Sequence, residues 1–312
     1  AQRLQKLALV MGLKCVRDPD TSYELTSDNM KKMLAVYMRF KCNIPVIIMG
    51  ETGCGKTSLV KFMCQLQCPD DGVRNMILMK MHGGTTKSDI MEIVHKSDII
   101  ARRNVEQYGS AFFTVLFFDE ANTTEAINFI KEIICDNAMN GKKLELTANL
   151  KFIAACNPYR KHSGDMIERL EKAGLGYHVK LDETTDKLGR IPMRHLVYRV
   201  QPLPHSMLPL VWDFGQLNLQ MERQYIQQMV AKQIPSLGQS ESSVAVRHIK
   251  ALSQSKREDN DVASILLESQ TYMRNQKDEC SFVSLRDVQR TLQVMSWFFG
   301  KRTANTFGRC EC

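Results

Sequence analysis

Apolar residues follow two alternating patterns through the first two thirds of the chain. Short, nearly continuous apolar runs occupy residues 46–49, 75–81, 111–119 and 151–156. Runs of this length are typical of strands that are buried on both faces, as in a parallel sheet. The stretches between them carry apolar residues at helical spacing, and a further run over Leu196–Leu203 predicts a fifth strand. The alternation of strands and helices predicts an α/β fold with a parallel sheet of five strands.

The same patterns divide the chain into three parts. Residues 1–25 are weakly patterned and are interpreted as an N-terminal extension, because the short polar residues that follow at Thr26–Asp28 predict a helix start. Residues 26–207 form the predicted α/β domain, which ends among closely spaced prolines. Residues 208–312 predict an all-helical domain, with helices over 217–234, 244–254, 262–273 and 284–299. Within the α/β domain we also expect a helix over 124–139 and a strand or hairpin arm over 144–150.

A glycine-rich loop follows the first strand and precedes a predicted helix. It has the complete pattern G-x-x-x-x-G-K-T, in which glycines let backbone N–H groups approach phosphate oxygens. Lys56 is expected to reach the β- and γ-phosphates, and the Thr57 hydroxyl is expected to bind Mg²⁺, which prefers oxygen ligands. The predicted nucleotide contacts are Gly50, Glu51, Thr52, Gly53, Cys54, Gly55, Lys56, Thr57 and Ser58.

Polar residues end two further strands of the predicted sheet. Asp119 and Glu120 close the run over 111–119, and Asn157 follows the run over 151–156. Ligands of open α/β sheets bind at the carboxyl ends of the strands. We therefore expect Asp119 to help hold Mg²⁺, Glu120 to act as the general base for an attacking water, and Asn157 to bond the γ-phosphate or that water.

The composition limits the function without specifying it. The net charge of +8 permits an acidic partner, but the basic residues are dispersed, so nucleic-acid binding is not expected. No apolar run is long enough to span a bilayer. The ten cysteines are dispersed without a C-x-x-C pair, which favours a reducing cytosol over a disulfide scaffold or structural zinc site. The chain does not begin with Met, and we interpret it as a piece of a longer protein.

The two nucleotide signatures, the strand-end amide, the fifth strand and the helical domain together resemble the plan of AAA+ ATPases. In that resemblance Lys56 and Thr57 correspond to Walker A, and Asp119 and Glu120 to Walker B. Asn157 corresponds to sensor 1, and SLRDVQR at 284–290 resembles the start of the sensor-2 helix. The resemblance implies that Arg286 reaches the γ-phosphate from the lid. It also implies an arginine finger before the fifth strand, for which Arg194 is the first candidate and Arg190 the second.

A closer resemblance is to the mysterin family, giant ubiquitin ligases with dynein-like AAA+ units in tandem. It is carried by GETGCGKTSLV, LFFDEANTT, AACNPYR, LVYRVQPLP and MLPLVWDFGQL. Only some units of that family keep working ATPase residues, and the intact motifs here resemble a competent unit. The resemblance implies neighbouring AAA+ units and the ubiquitin machinery as partners, through the parent chain. It also implies a cytosolic location with association to lipid droplets. The zinc-binding RING pattern is absent from this sequence, so no ligase residue is carried over.

These observations predict an ATP-hydrolysing module that requires Mg²⁺ and converts hydrolysis into movement of the lid, with a hinge near residues 203–209. Because a finger arginine can contribute several orders of magnitude to the rate, the isolated chain is expected to be slow unless it self-associates. Two alternatives stay open: a nucleotide-holding structural module with little turnover, and a nucleic-acid remodelling ATPase. A small GTPase is the least favoured class, because no guanine-reading N-K-x-D motif occurs.

Overall fold

The computed structural model describes residues 2–13, 17–20, 23, 25–70, 72–172, 187–188, 191–192, 195–215, 219–236, 262–275 and 283–307. Its α-helices are α1 (Gln2–Val10), α2 (Ser27–Lys41), α3 (Lys56–Gln67), α4 (Lys87–Tyr108), α5 (Ile127–Asp136), α6 (Gly164–Lys172), α7 (Leu219–Ser236), α8 (Val262–Arg274) and α9 (Leu285–Phe307). Its strands are β1 (Val46–Met49), β2 (Met76–Lys80), β3 (Thr114–Asp119), β4 (Ala138–Met139), β5 (Lys142–Lys143), β6 (Leu150–Cys156), β7 (Lys187–Leu188), β8 (Ile191–Pro192) and β9 (Val211–Asp213).

The chain divides into two compact units. The first comprises Ala1–Asp20, Leu25–Glu51 and Gly55–Gly215, and the second comprises Thr21–Glu24, Thr52–Cys54 and Gln216–Cys312. The described part of the first unit is α/β, and that of the second is largely helical. The first unit extends past residue 207, where the prolines predicted the boundary.

A five-stranded parallel sheet forms the centre of the first unit, in the order β2-β3-β6-β1-β9. Strand β1 is internal and pairs with both neighbours, so that Ile48 lies opposite Ala155 of β6 and Trp212 of β9. Alternate residues of a strand point to opposite faces. Phe117 and Phe118 of β3 are adjacent and both fully buried, which shows that the sheet is covered on both sides. The parallel α/β prediction is therefore confirmed.

Two helices of the first unit, α2 and α4, begin where a short polar side chain accepts a hydrogen bond from one of the first N–H groups. Thr26 caps α2 and accepts a hydrogen bond from the Asn29 backbone, at the place where the sequence predicts the start. Thr86 caps α4 and forms a reciprocal capping box with Asp89. These caps fix the residue at which each of the two helices starts.

The predicted fifth strand is wrong in position. Residues 196–203 form no strand of the sheet; Leu196 makes an isolated antiparallel bridge to Lys161. The fifth strand is instead the short β9, which pairs with β1 at the edge of the sheet. The reason is that backbone groups of the 196–203 segment bond loops beyond the strand ends, as the Val197 N–H does to the Arg160 carbonyl at 2.9 Å.

The region after α5 also differs from its prediction. The helix expected over 124–139 ends at Asp136, where Asn137 adopts a left-handed backbone as its C-cap. The strand or hairpin arm expected over 144–150 is not present in that form, because the hairpin lies earlier, between β4 and β5. Asn140 and Gly141 turn it, and both have positive φ, which asparagine and glycine tolerate best.

The N-terminal residues form part of the first unit. Leu7 and Ala8 of α1 are completely buried, and α1 contacts α2. The Tyr37 hydroxyl of α2 donates a 3.0 Å hydrogen bond to the Met11 carbonyl, and its ring is buried beside Phe113. Tyr37 is thus a core residue in this structure.

The second unit is a helical cluster formed by α7, α8 and α9. Its buried apolar residues are Ile226, Val230, Ala263, Val288 and Leu292. Glu222 of α7 is almost fully buried and receives two hydrogen bonds from the Arg274 guanidinium of α8, at 2.5 and 2.6 Å. Such bidentate pairing satisfies a buried carboxylate that would otherwise be costly. The helix predicted over residues 244–254 lies outside the described residues.

Among the described residues, no helix combines the length and the apolarity that crossing a membrane requires.

Replacing Phe118 by Ala tests the role of β3 in the core. Phe118 is fully buried in the cluster that α4 and α5 form against the sheet. We expect Phe118→Ala to lower the free energy of unfolding by roughly 3–5 kcal/mol, because a large cavity is left. Urea denaturation followed by the fluorescence of Trp212, in a Trp297→Phe background, reports on the sheet unit, since the chain has two tryptophans.

The matched control is Phe298→Ala, which removes the same atoms from an exposed position of α9. It should change the Trp212 transition by less than about 0.5 kcal/mol. Equal effects of the two substitutions would contradict the assignment of β3 to the core.

Candidate functional site

The polar residues singled out in the sequence follow neighbouring strands of one sheet. Gly50 follows β1, Asp119 ends β3, and Asn157 follows β6, which lies between the other two. Because all three strands are parallel, their carboxyl ends meet at the same edge of the sheet. The fold thus brings together the three motifs that the sequence separates.

The loop between β1 and α3 contains two glycines with left-handed backbone. Gly53 and Gly55 have φ of +78° and +96°, a region that other residues rarely adopt. Gly55 is the N-cap of α3 and offers no side chain to the first N–H groups of the helix. These N–H groups, together with the positive end of the helix dipole, favour an anion at this end of the loop.

Lys56 supplies the positive charge of the loop. Its side chain is buried, and its amine donates hydrogen bonds to the backbone carbonyls of Gly50 and Glu51, at 2.5 and 3.0 Å. A buried ammonium needs such acceptors. Phosphate oxygens are stronger acceptors than carbonyls, since they carry charge. The arrangement therefore holds a cation inside the loop with partners that a polyphosphate can replace.

Thr57 and Asp119 form the oxygen-rich part of the site. The Thr57 hydroxyl on the first turn of α3 lies 3.4 Å from a carboxylate oxygen of Asp119 at the end of β3. A hydroxyl and a carboxylate beside a phosphate-binding loop are ligands of the kind Mg²⁺ prefers, and the ion usually keeps several waters. The residues present fit the predicted metal, which would be held by these two groups together with phosphate oxygens.

Glu120 has an unusual backbone. Its φ and ψ of 57° and 40° are left-handed, a conformation uncommon for glutamate. Its carbonyl accepts hydrogen bonds from the Thr123 N–H and hydroxyl, at 2.9 and 2.8 Å, which hold the short 3₁₀ turn Ala121–Thr123. The Glu120 side chain is exposed to water at the carboxyl end of β3. Strained backbone held by its surroundings is frequent at functional sites.

Asn122 is a site residue that sequence reasoning did not assign. Its side-chain amide donates to the Asn157 carbonyl at 2.9 Å, and its side-chain oxygen accepts from the Asn157 N–H at 3.0 Å. Both asparagines are nearly fully buried. This two-bond clamp joins the turn after Glu120 to the end of β6. The only sequence signal was its position, two residues after Glu120, within the quoted motif LFFDEANTT.

Four of the described cysteines differ in the burial of their thiols. Burial raises the pKa of the Cys156 thiol at the end of β6 to about 12, while the nearby Lys56 charge acts in the opposite direction. Burial also raises the pKa of Cys64 in α3 far above its usual value. Cys54 of the loop is partly exposed and Cys42 is exposed. Among these four cysteines, only Cys54 and Cys42 have thiols that a reagent in solution can reach.

The predicted arginines lie either in the helical unit or outside the described residues. Arg286 lies in the first turn of α9, in the helical unit, and its side chain is exposed. Arg194 and the second candidate, Arg190, lie outside the described residues. Both assignments stay predictions.

Comparisons with known proteins show a family resemblance. The family model described as "RNF213 AAA domain" matches residues 23–160, which include β1, the glycine-rich loop and the ends of β3 and β6. The chain resembles this family over that range. It is 53% identical over 305 residues to E3 ubiquitin-protein ligase rnf213-beta of Danio rerio. It is 50% identical over 297 residues to E3 ubiquitin-protein ligase RNF213 of Mus musculus and of Homo sapiens. The resemblance to a mysterin AAA+ unit is confirmed.

These alignments cover 95–96% of the chain but only 5–6% of each relative. The chain therefore spans a small part of the length of the proteins it matches.

Substituting Asn122 tests the clamp between the two strand ends. Asn122→Ala leaves the N–H and C=O of Asn157 without these partners in a buried place. We expect the free energy of unfolding to fall by roughly 2–4 kcal/mol, since an unpaired buried polar group costs 1–3 kcal/mol. Urea denaturation followed by Trp212 fluorescence measures it.

The control for Asn122 is Asn128→Ala, at an exposed position of α5. It should change the free energy of unfolding by less than about 0.5 kcal/mol, because the Asn128 side chain is exposed. Alanine is also a better helix former than asparagine. An Asn122→Ala cost no larger than that of the control would show that the clamp does not stabilise the fold.

Alkylation by iodoacetamide tests the thiol environments. Only the thiolate reacts, and the raised pKa of about 12 keeps Cys156 protonated at mildly alkaline pH. Between about pH 7 and about pH 9 we expect the labelling of Cys156 to stay near zero, whereas the exposed Cys42 is labelled. Peptide mass spectrometry of the native chain measures both sites, with the urea-unfolded chain as the positive control. Rapid labelling of native Cys156 would contradict its buried environment.

Proposed function

We propose that this chain is an ATP-binding and ATP-hydrolysing AAA+ module. One observation carries the proposal: at the carboxyl edge of the sheet, the Lys56 amine lies within a glycine-rich loop while the Thr57 hydroxyl faces the Asp119 carboxylate. A buried cation, a set of backbone donors and a pair of oxygen ligands are what a nucleoside triphosphate with Mg²⁺ requires. Resemblance to an AAA domain family supports the same conclusion.

Each group has a proposed part in phosphoryl transfer. The loop N–H groups and Lys56 bind and orient the phosphates. Thr57 and Asp119 would hold Mg²⁺, which would neutralise charge on the phosphate oxygens. Glu120, exposed beyond β3, orients a water and accepts its proton, and the Asn157 amide bonds the terminal phosphate or that water. Positioning and electrostatic stabilisation then provide most of the rate acceleration.

The remaining site residues are carried over from the family resemblance. Arg286 of the helical unit is proposed to contact the γ-phosphate, and Arg194 is proposed as the finger that serves a neighbouring unit. Conformational coupling would use a hinge near residues 203–209. The relatives are named as E3 ubiquitin-protein ligases. We therefore propose that this module, together with neighbouring AAA+ units, provides the motor part of such a ligase in the cytosol or at lipid droplets.

Steady-state phosphate release tests the proposal. Lys56→Ala should abolish turnover because it removes the charge that binds the phosphates. Glu120→Gln should keep ATP binding and lower the turnover rate by at least about 100-fold, a typical contribution of a general base. The matched controls are Lys61→Ala, at an exposed site of α3, and Glu125→Gln, at an exposed site before α5, both of which should leave turnover unchanged.

Protein concentration separates the possible outcomes. Turnover per molecule that rises with concentration would support a finger arginine supplied by a neighbouring copy. Tight ATP binding without turnover at any concentration, in the wild-type chain and Glu120→Gln alike, would favour the nucleotide-holding alternative. Failure of Lys56→Ala to weaken ATP binding would overturn both readings.

A further inference from the structure

The side chain of Glu51, the second residue of the glycine-rich loop, is held from two directions. The Tyr198 hydroxyl donates a hydrogen bond of 2.5 Å to one carboxylate oxygen. An Arg160 guanidinium nitrogen lies 3.6 Å from the other oxygen. The carboxylate is part-buried, with 29% of its side chain exposed. A loop position that the G-x-x-x-x-G-K-T pattern leaves unspecified thus carries a carboxylate with a neutral donor on one side and a positive charge on the other.

Tyr198 and Arg160 belong to two segments that are joined to each other. The Val197 N–H bonds the Arg160 carbonyl and the His162 N–H bonds the His195 carbonyl, both at 2.9 Å. The first of these segments also reaches the Asn122 clamp, because the Gln201 N–H donates to the Asn122 carbonyl at 2.7 Å. The backbone therefore positions the tyrosine and the arginine together, and their placement does not depend on Glu51 alone.

Glu51 connects these two side chains to the phosphate-binding amine. Its backbone carbonyl is one of the two acceptors of the Lys56 amine, at 3.0 Å. Fixing the Glu51 side chain restricts the rotation of the Glu51 backbone and hence the position of that carbonyl. Tyr198 and Arg160 can thereby act on Lys56 through Glu51 without contacting a nucleotide.

We propose that Tyr198 and Arg160 are positioning residues for nucleotide binding, which hold Glu51 and so pre-form the phosphate-binding loop. The proposal rests on the proposed ATPase function. Two physical effects support it. A loop held in one conformation loses less entropy when it binds a ligand. In addition, a carboxylate beside a polyphosphate repels it, and pairing with Arg160 offsets that charge.

This role predicts an effect on affinity rather than on the chemical step. Tyr198→Phe removes only the hydroxyl that bonds Glu51. We expect the dissociation constant of a fluorescent ATP analogue to rise about 5- to 20-fold. This is less than the roughly 10- to 150-fold that corresponds to losing a whole hydrogen bond to a charged group, because the lost bond acts on the nucleotide only through the loop. The KM for ATP should rise similarly, while kcat should stay within about twofold, because the interaction is the same in the ground and transition states.

The chain offers matched controls. Tyr159→Phe makes the same change at an exposed tyrosine next to Arg160 and should leave the affinity unchanged. Arg160→Gln is a second variant, at a side chain that is 44% exposed, and should also weaken binding. Its control is Arg103→Gln, at an exposed site of α4. The effect of Arg160→Gln should shrink as salt is added, whereas that of Tyr198→Phe should not.

A double-mutant cycle separates positioning from a general loss of stability. In a Glu51→Ala background, Tyr198→Phe should weaken ATP binding no further, because the partner of the hydroxyl is already absent. Fully additive effects on affinity, or an affinity of Tyr198→Phe equal to that of Tyr159→Phe, would overturn the inference.

The same binding assay distinguishes this inference from the proposed function. Suppose that the wild-type chain binds ATP and that Lys56→Ala abolishes this binding. If Tyr198→Phe and Arg160→Gln then bind ATP with wild-type affinity, the positioning role alone is overturned. Absence of ATP binding by the wild-type chain, or binding that Lys56→Ala does not weaken, would overturn both.

Discussion

The backbone hydrogen bonds that pair β1 with β6 fix the geometry of the whole site. Their register places Met49 beside Cys156, so the glycine-rich loop and Asn157 leave the sheet at the same level. Strand β6 in turn pairs with β3, which ends at Asp119. Since all these strands are parallel, residues that are far apart in the sequence meet at one edge. A slip of one residue would turn the side chains of β1 to the opposite face of the sheet.

Around this edge, the loops are joined mainly by polar contacts. Asn122 bonds both backbone groups of Asn157, and the segment that contains Tyr198 bonds Asn122, Arg160 and Glu51. Buried polar groups cost free energy unless they are paired, and a fully paired network holds its members in one arrangement. The polar network therefore holds the loops in place, as apolar packing does for the strands. The phosphate-binding loop is then supported from its side-chain face as well as from β1.

Lys56 shows how charge and burial are balanced within the glycine-rich loop. The amine is buried and keeps two carbonyl acceptors, one of them from Glu51. Exchange of carbonyl oxygens for phosphate oxygens conserves hydrogen bonds and gains charge attraction. The free energy available for nucleotide binding thus depends on how closely the loop already matches the bound form. The contacts that hold Glu51 are therefore proposed to affect nucleotide affinity.

Local patterns in the sequence were sufficient for the buried strands, for the cap of α2 and for the glycine-rich loop. In each of these, the residues that produce the feature are neighbours in the chain. The expectation that Lys56, Asp119 and Asn157 lie at one edge of the sheet followed from the rule for parallel α/β sheets. The order of the strands came only from the tertiary structure. The 196–203 segment was mistaken for a strand because apolar residues pack against strand ends as well as within a sheet. The short edge strand β9 carried no comparable signal. The Asn122 clamp and the Glu51–Tyr198 bond span 35 and 147 residues, so only the folded chain brings their partners within hydrogen-bonding distance.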